Sequence, residues 1–440
     1  VNTPDFSPSS FPDSGDVLIR RAHVPGCLLD DGGAADFLSR DILIRDGVVA
    51  AIGPEITAEG DLVDLAGGIV FPGFVDLHTH LDKGHIWPRA SNKDGTHLSA
   101  LLAVKTDREA NWSAEDVASR ADFSLRCAYA HGTVAIRTHL DSLGPQLDIS
   151  WPVFKHLRDK WAGRIDLQAV SLVPLEAYGT EFVERMADVV AEAGGLLGGS
   201  GALQPEAAAH ISRIFDLAVA RDLDIDLHVD ETGDPAARTL GLIARETIRR
   251  GYQGRVTCGH CCSLAIQDED FAEKTISLVA EAGITVVSLP MVNLYLQGRK
   301  PQGTPTWRGI TLVHELRAAG ARVVFASDNT RDPFYGYGDL DLAEVFREAV
   351  RIGHLDLPVG DWAKTVTALP ADVMGLPRGR VRVGAPADLV LFSARTYNEL
   401  LARPQSDRVV LRDGRPILTV APSYRELDRL FSREKTGVPA

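Results

Sequence analysis

Two histidines one residue apart, His78 and His80, end the apolar stretch Gly68-Ile-Val-Phe-Pro-Gly-Phe-Val-Asp-Leu-His-Thr-His-Leu-Asp82. In an extended strand residues i and i+2 share a face, so H-x-H aims both imidazoles at one point. Neutral imidazole is the commonest ligand for Zn- or Fe-type ions, and two on one strand end make half a metal site. Read alone, the pair is as easily two polar residues where a strand meets its loop. The rest of the chain supplies the company. His228 closes the run in Asp226-Leu-His-Val-Asp-Glu231, His260 closes Val256-Thr-Cys-Gly-His, and Asp328 closes Val323-Val-Phe-Ala-Ser-Asp. Three histidines and one aspartate give N/N/N/O coordination with room for a water, which suits one catalytic Zn or Fe(II). Such an ion lowers the pKa of its bound water to roughly 7. Glu231, just beyond His228, stands where it can move protons as a general acid/base. Its plainer reading is a solvated loop carboxylate or a helix cap.

These residues need elements that bring them to one rim. Eight apolar, strand-like runs cover 68–77, 133–138, 165–173, 194–198, 225–228, 255–260, 284–289 and 323–327, with helical patterns such as 114–131, 205–221 and 240–252 between them. Strand–helix alternation repeated in this way predicts an α/β fold, a (β/α)8 TIM barrel over residues 68–375. An open doubly wound sheet is the runner-up, but no G-x-G-x-x-G follows a strand. In such barrels chemistry sits at the C-terminal ends of the strands, where all five ligand-type residues fall. Residues 16–67 and 376–425 read instead as short alternating strands, with Asp46-Gly47 and Asp413-Gly414 as turns. They predict a small β-sandwich domain formed by both chain ends, with 1–15 as a flexible arm and 426–440 as a tail.

Composition narrows the partners. Across 440 residues, 46 Lys and Arg face 60 Asp and Glu, a net charge of −14 with no basic run, which argues against nucleic acid or an anionic membrane. No apolar window is long enough to span a bilayer, and the Val1-Asn-Thr-Pro start lacks a signal-peptide pattern. Five cysteines, an odd and sparse set, fit reduced thiols in a cytoplasmic protein. In Cys258-Gly-His-Cys-Cys262 the last two are adjacent, without metal-binding C-x-x-C spacing, and read as small buried residues. No lysine lies between Lys160 and Lys274, so the fourth run offers none for carbamylation to bridge two ions. One metal is expected. The partner is expected to be a small molecule, and a homo-oligomer is left open.

Phe71-Pro-Gly-Phe-Val-Asp-Leu-His-Thr-His-Leu-Asp82, Arg137-Thr-His-Leu-Asp141, His228-Val-Asp-Glu231, His260 and Ser327-Asp-Asn-Thr-Arg-Asp-Pro-Phe334 together resemble the amidohydrolase superfamily, its cytosine deaminase-like branch. The resemblance implies that His78, His80, His228 and Asp328 hold a single Zn or Fe. It implies that Asp328 also accepts a proton from the metal-bound water, that Glu231 protonates the ring nitrogen, and that His260 stabilises the tetrahedral adduct. The reaction implied is hydrolytic loss of an exocyclic amine from an aromatic heterocycle, with attack by a metal-bound hydroxide and release of ammonia. Cyclic-amide or N-alkyl amidohydrolysis is the alternative on the same site. A non-catalytic barrel would have lost a ligand, and none is missing.

Where the branch reads the base, this chain differs. Val173-Pro-Leu-Glu-Ala-Tyr178 puts Leu175 where the resemblance expects a glutamine, and Asn329 stands where it expects an acid. An apolar residue cannot make the pyrimidine-edge hydrogen bonds, which weakens cytosine itself and leaves a cytosine- or isocytosine-like ring, a pterin or a triazine as the expected substrate. Trp87 and Arg89, with Lys83 and His85, follow the first motif and are candidates for stacking on a ring or binding a carboxylate or carbonyl. Asp141 and Asn293 are further candidates for substrate contact.

Overall fold

The computed structural model describes residues 8–12, 15–33, 35–201 and 205–431. The expected N-terminal arm and C-terminal tail therefore lie largely outside the described residues. The chain opens with β1 (Val17–Val24), β2 (Leu38–Arg45), β3 (Val48–Gly53), β4 (Asp61–Asp64) and β5 (Ile69–Pro72). The middle carries β6 (Phe74–Thr79), β7 (Thr133–Asp141), β8 (Asp166–Leu172), β9 (Leu197–Gly201), β10 (Ile225–Val229), β11 (Val256–His260), β12 (Thr285–Ser288) and β13 (Arg322–Phe325). The last strands are β14 (Leu389–Phe392), β15 (Val409–Arg412) and β16 (Arg415–Pro416).

Strands from both ends share one eight-stranded sheet, ordered β16-β15-β14-β5-β1-β2-β3 with β4 on β1. The seam between the two ends is the antiparallel pairing of β5 with β14. The middle strands are parallel and form two sheets, β6-β7-β8 and β13-β12-β11-β10-β9. Isolated parallel bridges join Val170 to Leu196 and Pro174 to Ser200 on one side, and Thr79 to Asp328 on the other. Helices connect the strands. Those used below are α1 (His97–Asn111), capped by the Thr96 side chain, and α2 (Ala114–His131), capped by Ser113 and ended by Gly132 at φ 100°.

Two expected runs are corrected. Gly68–Leu77 is not one strand: it breaks between β5, in the terminal sheet, and β6, in the parallel sheet. Pro72 has no N–H to offer a ladder, and at Gly73 a Cβ would lie 2.2 Å from Val134 Cγ1. Only glycine lets the chain pass that close, so the break is steric. The fourth run starts late, at Leu197, because Gly194 (φ 65°) and Gly195 end the preceding helix instead. Their N–H groups donate back to the carbonyls of Ala191 and Val190.

Buried polar ties hold the strand ends in place. Arg120 on α2 is fully buried, pairs with Asp116, and donates to the carbonyl oxygens of Asp82 and Gly84 at 2.6 and 3.0 Å. That fixes the loop directly after His80. Arg408, just before β15, grips Asp341 through two hydrogen bonds of 2.7 and 2.6 Å and also reaches the carbonyl oxygen of His131. One guanidinium thus ties the terminal sheet to α2 and to the helix Leu342–Gly353, which Asp341 caps.

Burial alone would raise the Asp341 carboxyl; the charge and hydrogen bonds of Arg408, with His131 nearby, hold it below its ordinary range. Arg408→Met leaves that buried carboxylate without its guanidinium partner, with only the Ala343 N–H and the more distant His131 beside it, so near neutral pH it should cost roughly 3 kcal/mol of stability in urea denaturation. A depressed carboxyl stabilises the fold above its unfolded pKa of about 3.9 and loses that contribution as pH falls through its folded value. The variant and parent stabilities should therefore converge as pH drops below about 4.

Candidate active site

The strand ends deliver the expected ligands to one point. Alternation along β6 turns His78 inward, and His80 follows one residue past the strand; β10 supplies His228, and Asp328 lies just beyond β13. His78 Nε2 and His80 Nε2 each lie 3.2 Å from His228 Nε2. Asp328 Oδ1 lies 3.1 Å from His80 Nε2 and 3.6 Å from His78 Nε2. Donors bound to one tetrahedral zinc at ~2.05 Å stand about 3.3 Å apart, so this spacing fits a single ion. Its electrostatics fit as well. Burial first, then neighbouring imidazoles or the Lys83 ammonium, holds His78, His80 and His228 well below the ordinary imidazole value, in the neutral ligand form. Burial, with Glu231 close by, pushes the Asp328 carboxyl well above its ordinary range, and neither of its oxygens has a protein hydrogen-bond donor. A cation among these four atoms removes that penalty.

Around this cluster stand the groups expected to act on substrate. Glu231, on the loop after β10, places Oε1 3.5 Å from His260 Nδ1 and Oε2 3.3 Å from His97 Nε2. Asn293 Nδ2 lies 3.0 Å from His260 Nδ1, while His260 Nε2 has no protein partner. His260 and Asp328 both take left-handed backbone angles, φ 67° and 62°, as does Asp230 at 51°. Such angles are uncommon for these residue types and cluster where side chains must be re-aimed at a strand end.

The remaining expected positions divide. Asp141 is buried; burial would raise its carboxyl, but Lys83 at 3.1 Å and Arg108 at 2.6 Å hold it low. Its backbone N–H donates to Asp82 Oδ2, whose own carboxyl is pushed up by burial and by Asp141. Asn329 is buried and donates to Asp332 at 2.7 Å. Leu175 is buried at the end of β8, against Gly201. Arg89 has other partners than a ligand: Asp107 at 2.8 Å and Asp116 at 2.6 and 2.9 Å consume its guanidinium. Trp87 packs its ring against Gly336, and the His85 ring meets Phe123 and Tyr424. The cysteines of the 258–262 cluster are buried with thiols raised by burial, and among the described residues no ligand group includes one.

Three residues near the site were not singled out from sequence: His139, His97 and Arg108. His139 is wholly buried, with its ring centre 4.0 Å from that of His78 and 4.6 Å from that of His228. With His78 and Asp226 it forms a second cluster of ligand-type atoms. There the cation is already present, because Arg137 donates to Asp226 at 2.8 Å. The signal was legible: Arg137, His139 and Asp141 alternate along one face of β7.

The profile of the Amidohydrolase family matches residues 61–150 and 166–420. This chain belongs to the amidohydrolase family. It is 54% identical over 433 residues to a pterin deaminase from Rhizobium rhizogenes strain K84, covering 97% of this chain and 99% of that protein. Among solved structures it is similar to the 5-methylcytosine deaminase from Klebsiella pneumoniae liganded with 5-fluorocytosine, with TM-score 0.78 and 26% identity over 92% of this chain and 98% of that one. It is also similar to the N-isopropylammelide isopropylaminohydrolase from Burkholderia multivorans, with TM-score 0.70 and 27% identity over 92% and 98% of the two chains. The amidohydrolase is therefore an enzyme that hydrolyses C–N bonds other than peptide bonds.

The site also constrains a residue that ligates nothing. A Cβ on Gly259 would lie 2.8 Å from His78 Cε1 and 3.1 Å from its Nδ1. Gly259→Ala must push that ring off its position. It should weaken zinc binding by about 10-fold or more, read by competition with a chromophoric chelator, while far-UV circular dichroism stays unchanged.

Proposed function

We propose that this amidohydrolase is a pterin deaminase that replaces the exocyclic amine of the ring by oxygen and releases ammonia, using one divalent ion, Zn or Fe. The observation that carries the reading is the convergence of His78, His80, His228 and Asp328 within 4.8 Å, beside a Glu231–His260 pair. The full-length likeness to a pterin deaminase supports the substrate. So does Leu175, an apolar wall where a pyrimidine reader would need an amide. In this reading Leu175, Asp141 and Asn329 are the residues that meet the ring. Trp87 and Arg89 brace the rim loops, Arg89 through its ion pairs with Asp107 and Asp116. The architecture of this reading is a closed (β/α)8 barrel with a β-sandwich from both ends. Backbone hydrogen bonds across both seams, Ser171 N to Leu196 O and Asp328 N to His78 O, support the closure. The five free thiols suit a reducing cytoplasm.

When bound, the ion supplies a water-derived nucleophile near neutral pH. The protein's part is proton handling. Burial would raise the Glu231 carboxyl, but His260 and His97 outweigh it and hold it down at about 2. Glu231 therefore begins each cycle ionised, takes a proton, and returns it to the ring nitrogen next to the reacting carbon. His260 presents Nε2, free of protein partners, to the oxygen that gathers charge on that carbon. Asp328 passes the second proton to the departing amine. The water's two protons thus end on the ring nitrogen and on ammonia.

The Burkholderia likeness keeps N-dealkylation as the competing outcome, and the product separates the two. Purified, metal-loaded protein should release ammonia from pterins, lose that activity to a chelator, and leave cytosine intact. Alkylamine release from N-alkyl triazines with silent pterins would overturn the reading. Glu231→Gln should retain its ion yet lose at least about 100-fold in kcat, measured by ammonia release.

A further inference from the structure

Glu231 is aimed from two sides, and the role argued for it uses only one. Its Oε1 faces His260 and the cluster; its Oε2 faces His97 Nε2 at 3.3 Å. His97 is the first residue of α1 and is built into place rather than left on a loose helix end. Thr96 caps the helix by accepting from Ser99 N at 3.2 Å, and Asp94 accepts from Thr96 N and Oγ1 at 2.9 and 2.8 Å. Asn92 ties this turn across the mouth, donating to the carbonyl oxygens of Thr96 and Pro333 at 3.0 and 2.9 Å. The next residue, Phe334, is buried and meets the His97 ring edge-on, with centroids 5.4 Å apart. Ring packing and capping thus turn His97 Nε2 towards Glu231, with the ring still 39% exposed. On the opposite side, Gln297 reaches only the main-chain oxygen of Glu231, at 3.4 Å, so it does not orient the carboxylate.

We propose that His97 is a positioning residue for the deamination: its Nε2–H holds Glu231 Oε2, which fixes the carboxylate rotamer and turns Oε1 towards the reacting ring. The proposal rests on the proton-shuttle reading of Glu231. A hydrogen bond to an ionised carboxylate is directional and strong, and a shuttle must reach within hydrogen-bond distance of two successive partners. A glutamate with three free side-chain torsions on a loop would otherwise spend most of its time elsewhere. His97 removes that freedom in advance.

The test is a set of variants assayed for ammonia release from pterin. His97→Phe keeps the ring packed on Phe334 and deletes the donor. It should lower kcat by about 10- to 100-fold, with KM within about twofold and zinc content unchanged. His97→Gln places an amide N–H near the position of Nε2 and should recover kcat to within about threefold of the parent. In a double-mutant cycle, His97→Phe should add little to Glu231→Gln, because its effect passes through the same carboxylate. Unchanged kcat in His97→Phe, or an equal fall in His97→Gln, overturns the proposal. Should His97→Phe fail to fold, His97→Leu, which also lacks the donor, takes its place in the same cycle with Glu231→Gln. Activity retained by Glu231→Gln would instead overturn the shuttle reading itself.

Discussion

An ionisable carboxylate is buried among neutral imidazoles, and most of the middle of this protein is arranged around that fact. Asp328 lies at 1% exposure with no protein donor on either oxygen. Unpaired, a carboxylate in such a place is costly enough to protonate instead. One divalent ion resolves the cost, provided several strands hold their donor atoms about 3 Å apart. Parallel strands do this well, because their C-terminal ends lie side by side and each contributes one residue. The polar ties behind them, Asp76 accepting from Ser327 and Arg137 donating to Asp226, sit one layer below the ligands and keep the strand ends in register.

The same demand explains where the backbone is unusual. A strand end naturally points its last side chain along the alternation of the sheet. His260 and Asp328 must instead turn towards the centre, and both do so at positive φ. Gly259 clears the space into which the His78 ring fits. Gly73 performs the corresponding task below, where the chain leaves the terminal sheet and enters the parallel one. The terminal sheet meets the middle of the chain through apolar packing of Ile69, Phe71, Val390, Phe392 and Val410 and through polar ties such as Arg408–Asp341 and Arg412 to the carbonyl oxygen of Thr133.

The four clustered candidate ligands were legible in sequence because each combines a distinctive residue type with the end of an apolar run. H-x-H followed by D-L-H and S-D at strand ends is a pattern that periodicity alone can place on one rim. The break at Pro72-Gly73 was not legible in that way, since a steric clash with Val134 depends on a strand far along the chain. Gly194 and Gly195 were misassigned to a strand because small residues fit either a strand start or a helix end, and only the hydrogen bonds to Ala191 and Val190 decide. His97 left no sequence signal: it opens α1 after a polar turn, far in sequence from Glu231, and tertiary packing alone makes them neighbours. For Arg89 the sequence shows a guanidinium beside a tryptophan at a mouth, while its ion pairs with Asp107 and Asp116 depend on tertiary packing.

Division of labour follows from these placements. The candidate ligand cluster is built from strand ends, the segments on which a site's geometry is held best. Glu231 and His97 lie on connecting segments, where side chains that act on a passing molecule are commonly carried. Lys83, Asp141 and Arg108 form a charged link between the first two strand ends at the same rim. Two cations on one carboxylate leave that link positive before Asp82 is counted, and Asp82 is itself pushed towards the neutral form. The end of β7 at Asp141 is therefore polar and charged, while Leu175, just past the neighbouring strand β8, is apolar. A flat heteroaromatic ring with oxygen and nitrogen along one edge and bare carbon along the other matches that asymmetry better than a small pyrimidine ringed by hydrogen-bonding groups.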